Sequence, residues 1–360
     1  MRVSSMIAIP FLAVGVFSVA VCADQPPAQE AAAPIAPAAP AAKGEFTAVA
    51  LPGAPADGVA LDYLAVDRPR HRVWVPAGGT GNTVVIDTKT QELRTVEKFP
   101  TNEVERNGKK RVVGPSSATV GDGFVYVGNR ADSSVCAIDA TTLERAGCVT
   151  LASSPDGVVF VPSAKEVWVT TPRDNSITIL DVSKPKAPKL GPVIKLEGGP
   201  EGYALDDAKG FFYTNLEDKD RTLRIDVKTR KITATWKPEC GERGPGGLAI
   251  EPKGQLLMVV CSGHVEVLDA GKDGKILSKL DTGDGVDNID YLPAKRALYA
   301  AAGRAAMLVV AHLDEKGVLR QEASISTMKG ARNAVVADDG TAYVAAGPDG
   351  KILVVPMKAN

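Results

Sequence analysis

Histidine is scarce in this chain, with three in 360 residues. His71 and His312 stand alone in polar contexts, and His264 is a lone neighbour of Cys261. The sequence holds no C-x-x-C, C-x-x-C-H or H-E-x-x-H, which excludes the common zinc centres, c-type haem attachment and zincin chemistry. It also lacks a G-x-S-x-G elbow and a Walker loop, so the serine hydrolases and P-loop enzymes that carry those signatures are excluded. The net charge is -1, so no bulk basicity draws the chain to nucleic acid or anionic membranes. The one basic run, RNGKKR at 106–111, contains no aromatic on which bases could stack. Helical periodicity is missing as well.

The chain does hold 35 glycines and 25 prolines, a composition that suits a globular protein built from many turns. It opens on Arg2, runs through MIAIPFLAVGVFSVAV and reaches Val21-Cys22-Ala23. This reads as a secretory signal over residues 1–23 with cleavage near Ala23. The apolar run is short of the roughly 20 residues that cross a bilayer, and nothing later comes near that length. A lipoprotein reading of Cys22 is weaker, because Val21 is bulky where that processing wants a small residue. Residues 24–43, rich in Pro and Ala, read as a semi-extended linker. The expected product is a periplasmic or secreted bacterial protein with no transmembrane span once the signal is removed.

A repeat sets the fold. Seven segments align: RVWVPAGG (72–79), FVYVGNRA (124–131), EVWVTTPR (166–173), FFYTNLED (211–218), LLMVVCSG (256–263), ALYAAAGR (297–304) and TAYVAAGP (341–348). Each precedes a second apolar run, and most of these close on an Asp: Asp87, Asp139, Asp181, Asp226 and Asp269. An Asp there is a turn former, bonding the backbone two residues on. Each segment also follows a short strand reached through a turn, with these lead-ins beginning at 57, 115, 155, 200, 245, 286 and 331. From the second unit onward they lie about 40–45 residues apart, the length of a four-stranded propeller blade. The fold class is therefore all-β, a seven-bladed β-propeller over residues 44–360, one domain and a monomer. Unit seven stops after its third strand, so EFTAVALP (45–52) is expected to supply the missing outer strand and close the ring. NEVERNGKKRVVG (102–114) reads as a charged loop inserted between blades one and two.

The motifs DYLAVD (62–67), SPDG (154–157), GGPEGYALD (198–206), YTNLEDK (213–219), PGGLAIEP (245–252), TGDGVDNIDY (282–291) and KGARNAVVADD (329–339) resemble the YVTN/YncE-like group of exported seven-bladed propellers. The resemblance covers essentially the whole domain. It implies a propeller in the periplasm or outside the cell and assigns no reaction. No YVTN tetrapeptide is intact, and Ser116-Ser117 stands where the subgroup would lead one to expect His-Gly.

After signal removal four cysteines remain, an even number in an exported chain. Cys136 and Cys148 flank one hairpin turn at matching distances, while Cys240 and Cys261 reach the same rim of blade five. Two disulfides are expected, Cys136–Cys148 and Cys240–Cys261, each worth about 3 kcal/mol in the chain-entropy model.

Propeller ligands sit at the mouth of the central channel, where the lead-ins and the loops between second and third strands converge. The candidates there are Asp57, Asp156, Glu201, Asp287, Asn288 and Asn333, with Arg130, Arg173, Arg304 and Arg332 beside them. Two functions fit. One is a binding module without turnover, its arginine forks holding a small anionic ligand or an envelope protein; nucleic acid is not expected. The alternative is a lactonase- or esterase-type hydrolase in which Asp156, Glu201, Asp287 and Asn333 hold a divalent cation, Ca or Mg. No cofactor is certain on either reading.

Overall fold

The computed structural model describes residues 45–106 and 108–357, together with residues 1 and 35–36. The stretch expected to be a secretory signal, beyond residue 1, and nearly all of the stretch read as a linker lie outside the described residues. The chain divides into two units, 1–32 and 33–360, and the fold is that of the second. It comprises seven four-stranded antiparallel sheets arranged as the blades of a β-propeller. Blade three is typical, running Val158–Val161, Glu166–Thr171, Ser176–Asp181 and Lys189–Lys195 from the channel outward.

Period-two alternation makes these segments strands, and stacking of blade on blade removes both faces of the middle strands from water. Between blades three and four, for example, Trp168, Ile179, Phe212 and Ile225 form one buried cluster. Each such side chain contributes about 1.5–3 kcal/mol by burial. Tyr126 and Trp74 are fully buried in the same way. On the rim far from the mouth the third strands end in the expected turns. The Asp87 carboxylate accepts from the backbone of Lys89 and Thr90, and Asp139 from Thr141 and Thr142. Hydrogen bonds from their own turns hold Asp87, Asp139, Asp181 and Asp226 below the usual carboxylate range.

The ring closes at the seam as the strand count requires. Thr47–Ala50 pairs antiparallel with Lys351–Val355, Thr47 opposite Val354 and Ala50 opposite Lys351. Both disulfides are formed, Cys136 facing Cys148 across the hairpin and Cys240 joined to Cys261. Two linker residues, Ile35–Ala36, pair in parallel with the outer strand Lys275–Asp281 of blade five.

Two expectations need correction. Residues 102–114 are not a loop, because Asn102–Arg106 and Lys109–Val113 pair as a β-hairpin that leans over the mouth. In blade one the first strand is Ala65–Asp67, paired with Arg72–Trp74, and its lead-in is Leu61-Asp62-Tyr63 rather than the stretch starting at Asp57. Val59 and Leu61 alternate with exposed Ala60 as strand residues would. They do so because they pack on Tyr343 and Ala345 of blade seven, where Val59 N–H donates to the Gly347 carbonyl.

Candidate functional site

The lead-ins bond to one another around the channel. Tyr63 N–H donates to Ser116 O, Gly247 N–H to Asp287 O and Asp287 N–H to Arg332 O. Buried amides add cross-ties. Asn215 Nδ2 donates to Gly246 O at 2.7 Å, and its Oδ1 accepts from Thr222 Oγ1. This close approach explains Gly202, which lies at φ +51° in a bulge beside Glu201; a Cβ there would run into the Gly246 carbonyl.

At the mouth these lead-ins and loops enclose a cavity of about 1150 Å³. Four acids form its throat: Asp62, Asp156, Glu201 and Asp287, from blades one, three, four and six. Arg130, on the blade-two loop, bonds Asp62 at 2.6 Å and also Asp156. Arg332 Nη2 lies 3.4 Å from Asp287. Among the described residues no guanidinium pairs with Glu201, whose Oε1 accepts a long 3.3 Å bond from the Tyr63 hydroxyl. Tyr63 reaches it from across the channel, stacked on Tyr203 with ring centroids 5.4 Å apart, and accepts from Gly202 N–H. Burial, then the Asp156, Asp62 and Asp287 carboxylates, push the Glu201 carboxyl up to about 9. Burial also raises Asp156 and Asp287, against the pull of Arg130 and Arg332 respectively.

Above these acids the rim is mixed, with Glu217, Asp218 and Glu242 lining it beside three arginines. Arg173, Arg243 and Arg304 line the same cavity from blade three, the approach to blade five, and blade six, and all three are exposed. No side-chain ion pair holds any of them among the described residues, whereas Arg130 and Arg332 are engaged. The hairpin adds Arg111, Val112 and Glu105 to the wall.

The structure thus brings Asp156, Glu201, Asp287, Arg130, Arg173, Arg304 and Arg332 to one cavity. Asp57 is exposed and is not among the lining residues. Asn288 and Asn333 line a second, inner space of about 290 Å³ in the channel below. Asn333 is 1% exposed and fully engaged there; its Oδ1 accepts from Asn288 N–H at 2.9 Å, and its Nδ2 donates to the Leu61 and Asp62 carbonyls. Asn333 is therefore a tie between blades six, seven and one, lining the inner space rather than the mouth cavity. Among the described residues no three of the mouth carboxylates bring oxygens within 4.8 Å of one another, and the only metal-type donor set that close is Cys240, Cys261 and Glu266. Its two sulfurs are joined to each other, so it offers no thiolate pair.

Sequence reading missed Asp62 and the hairpin. A spacing signal existed for Asp62. In blades three, four and five the lead-in proline, Pro155, Pro200 or Pro245, stands eleven residues before the second strand, which starts at Glu166, Phe211 or Leu256. The same count back from Arg72 ends on Leu61, which puts Asp62 in register with Asp156 and Glu201.

No family model matches the chain, and no curated protein matches it in sequence. Its likeness to solved structures is in fold. A chain in the crystal structure of the mitotic checkpoint complex superposes with TM-score 0.72 at 13% identity, covering 96% of this chain and 100% of that one. Hydrazine synthase of Kuenenia stuttgartiensis gives 0.69 at 15% identity over 84% and 97%. Virginiamycin B lyase from Staphylococcus aureus gives 0.67 at 16% over 88% and 100%. These neighbours have different functions on one architecture, so the likeness carries the β-propeller fold and no activity.

Proposed function

We propose that this chain is an exported propeller of the YVTN/YncE-like kind that binds a small anionic ligand at its mouth without turnover. The observation that carries the reading is the rim. Arg173, Arg243 and Arg304 come from different parts of the ring to one cavity, and no carboxylate among the described residues pairs with them. Guanidinium forks in that state suit carboxylate or phosphate groups of a ligand. Two disulfides support export, as they persist in oxidising compartments. Among the described residues no helix is long and apolar enough to cross a membrane. The hydrolase alternative asked Asp156, Glu201, Asp287 and Asn333 to share one ion, and the engagement of Asn333 and the spread of the three acids weigh against it.

The test is calorimetric titration with a panel of carboxylates and phosphates against wild type and the triple variant Arg173→Ala, Arg243→Ala, Arg304→Ala. Saturable binding that falls roughly ten- to a hundredfold in the triple variant is expected, in line with losing charge-assisted hydrogen bonds. Equal binding by the triple variant would overturn the reading. So would chelator-sensitive turnover of a lactone panel.

A further inference from the structure

We propose that the ligand of this mouth is zwitterionic, a short peptide with free termini whose ammonium group enters the acidic throat while its carboxylate stays on the rim arginines. This rests on the rim reading above and adds the other half of the ligand.

Four acidic side chains and two guanidinium groups, Arg130 and Arg332, form the throat, so even with Glu201 protonated three carboxylates outnumber the cations. The unmet demand is localised. Asp156 is 8% exposed and lines the cavity, and its Oδ2 has no hydrogen-bond partner although Oδ1 is held by Arg130. Among the described residues Glu201 beside it has no guanidinium and only the long bond from Tyr63. A buried carboxylate oxygen without a donor is costly. An added group that is both cationic and rich in N–H donors would meet both deficits.

The spacing selects the kind of cation. Ca or Mg needs several oxygens converging within about 2.0–2.6 Å of one centre, and no three mouth carboxylates approach that closely. An ammonium carries three N–H donors, each reaching an oxygen about 2.8 Å away, so it supplies the donor that Asp156 Oδ2 lacks and does not require three converging carboxylates. The rim then supplies what the other end of the molecule needs. A throat of acids beneath three rim arginines that no described carboxylate pairs with is complementary to a molecule with both charges, and it penalises a simple dianion, which would meet the throat with like charge.

Proton linkage gives the idea a signature. Glu201 faces Asp62, Asp156, Asp287, Glu217 and Tyr63, with Arg130 and Arg332 each on a neighbouring acid. In that company its carboxyl is pushed up to about 9, so it holds a proton at neutral pH. An incoming ammonium favours the carboxylate and expels that proton.

The experiment uses the purified chain with three pools of random tripeptides at 1 mM: free termini, N-acetylated, and C-amidated. Retained peptides are read by mass spectrometry after rapid desalting. Selective retention of the free pool is expected, at least tenfold over the acetylated pool. Binding of the best free peptide at pH 7.5 should release about 0.6–0.7 proton, the Glu201 proton less the fraction taken up by an α-amino group of pKa about 7.7–8.0, measured by calorimetry in buffers of different ionisation heat, and Glu201→Gln should turn the release into a small uptake. Equal retention of the acetylated pool overturns this inference and leaves the arginine reading intact. Equal retention of the amidated pool overturns the arginine reading and with it the zwitterion. Retention from no pool, or proton release by CaCl2 alone, also overturns the inference.

Discussion

The two rims of this propeller carry the same residue type in opposite states. On the far rim Asp87, Asp139, Asp181 and Asp226 sit in turns whose N–H and hydroxyl groups bond them, and each carboxyl is held below its usual range. At the mouth Asp156 is buried, Glu201 and Asp287 are half-buried near it, and all three are raised. Every blade needs a turn at the far rim, so those acids belong to the fold. No rule of blade construction requires acids from four blades to crowd one throat. Perturbation upward by burial and like charge makes the mouth the candidate functional side, and perturbation downward by local donors is what turn architecture requires at the other.

The largest expected effect comes from removing what keeps the mouth acids tolerable. Arg130→Met leaves Asp62 and Asp156 without their shared guanidinium, and a loss of about 3–5 kcal/mol is expected for breaking a largely buried pair from one side. Urea unfolding at pH 7 checks it; an unchanged midpoint would mean the throat is wet enough to tolerate the charges.

The next effect is a slope. The folded-state pKa of Glu201 lies above the unfolded value of about 4.3. Its contribution to stability is therefore complete below pH 4.3 and is lost as pH rises toward 9. Glu201→Gln should flatten this alkaline decline, gaining at least about 1.4 kcal/mol over wild type at pH 9, the equivalent of one pKa unit. The acid side should not change, because it reports the far-rim aspartates, whose depressed pKa values give stability present above about pH 3.9 and lost below it. Denaturation midpoints from pH 3 to 9 for both proteins separate the two arms.

The smallest effect is on the far rim. Asp87→Ala removes two hydrogen bonds from a half-exposed turn and should cost about 1 kcal/mol. It should leave ligand binding and the alkaline slope as in wild type. A binding defect in this variant would undo the division between the rims.

Much of this was written in the chain. The seven second strands, the aspartate turns, the seam strand and both cysteine pairs are legible because each depends on local pattern or on the counting of strands. Blade one was harder. Val59 and Leu61 are buried against blade seven and so imitate a first strand, which shifted the reading to Asp57 and away from Asp62. The insertion at 102–114 looked like a charged loop, although Asn-Gly at 107–108 is a hairpin signal. Asn333 is sorted from the mouth acids by the same count that finds Asp62, since eleven residues back from Ala342 is Ala331, which puts Arg332 at the mouth and Asn333 one residue beyond. A one-residue difference at the bulge between Ala331 and Asn333 sends its amide inward to the neighbouring lead-ins rather than up to the cavity.

The strand Thr47–Ala50 has a consequence for the order in which the molecule can be made. Its partner Lys351–Val355 lies roughly 300 residues further along the chain, so this contact is among the most distant in sequence that the fold contains. During synthesis, blades one to six can assemble from near neighbours while the earliest strand waits unpaired for the last. Until the seam closes, blade seven has a bare edge, open to pairing with another nascent chain. The mouth cavity, walled by residues of blade seven as well as blade one, is complete only at that final step. The cavity is thus closed only with the ring, and a chain stalled before residue 351 would hold most of its strands with the seam still open.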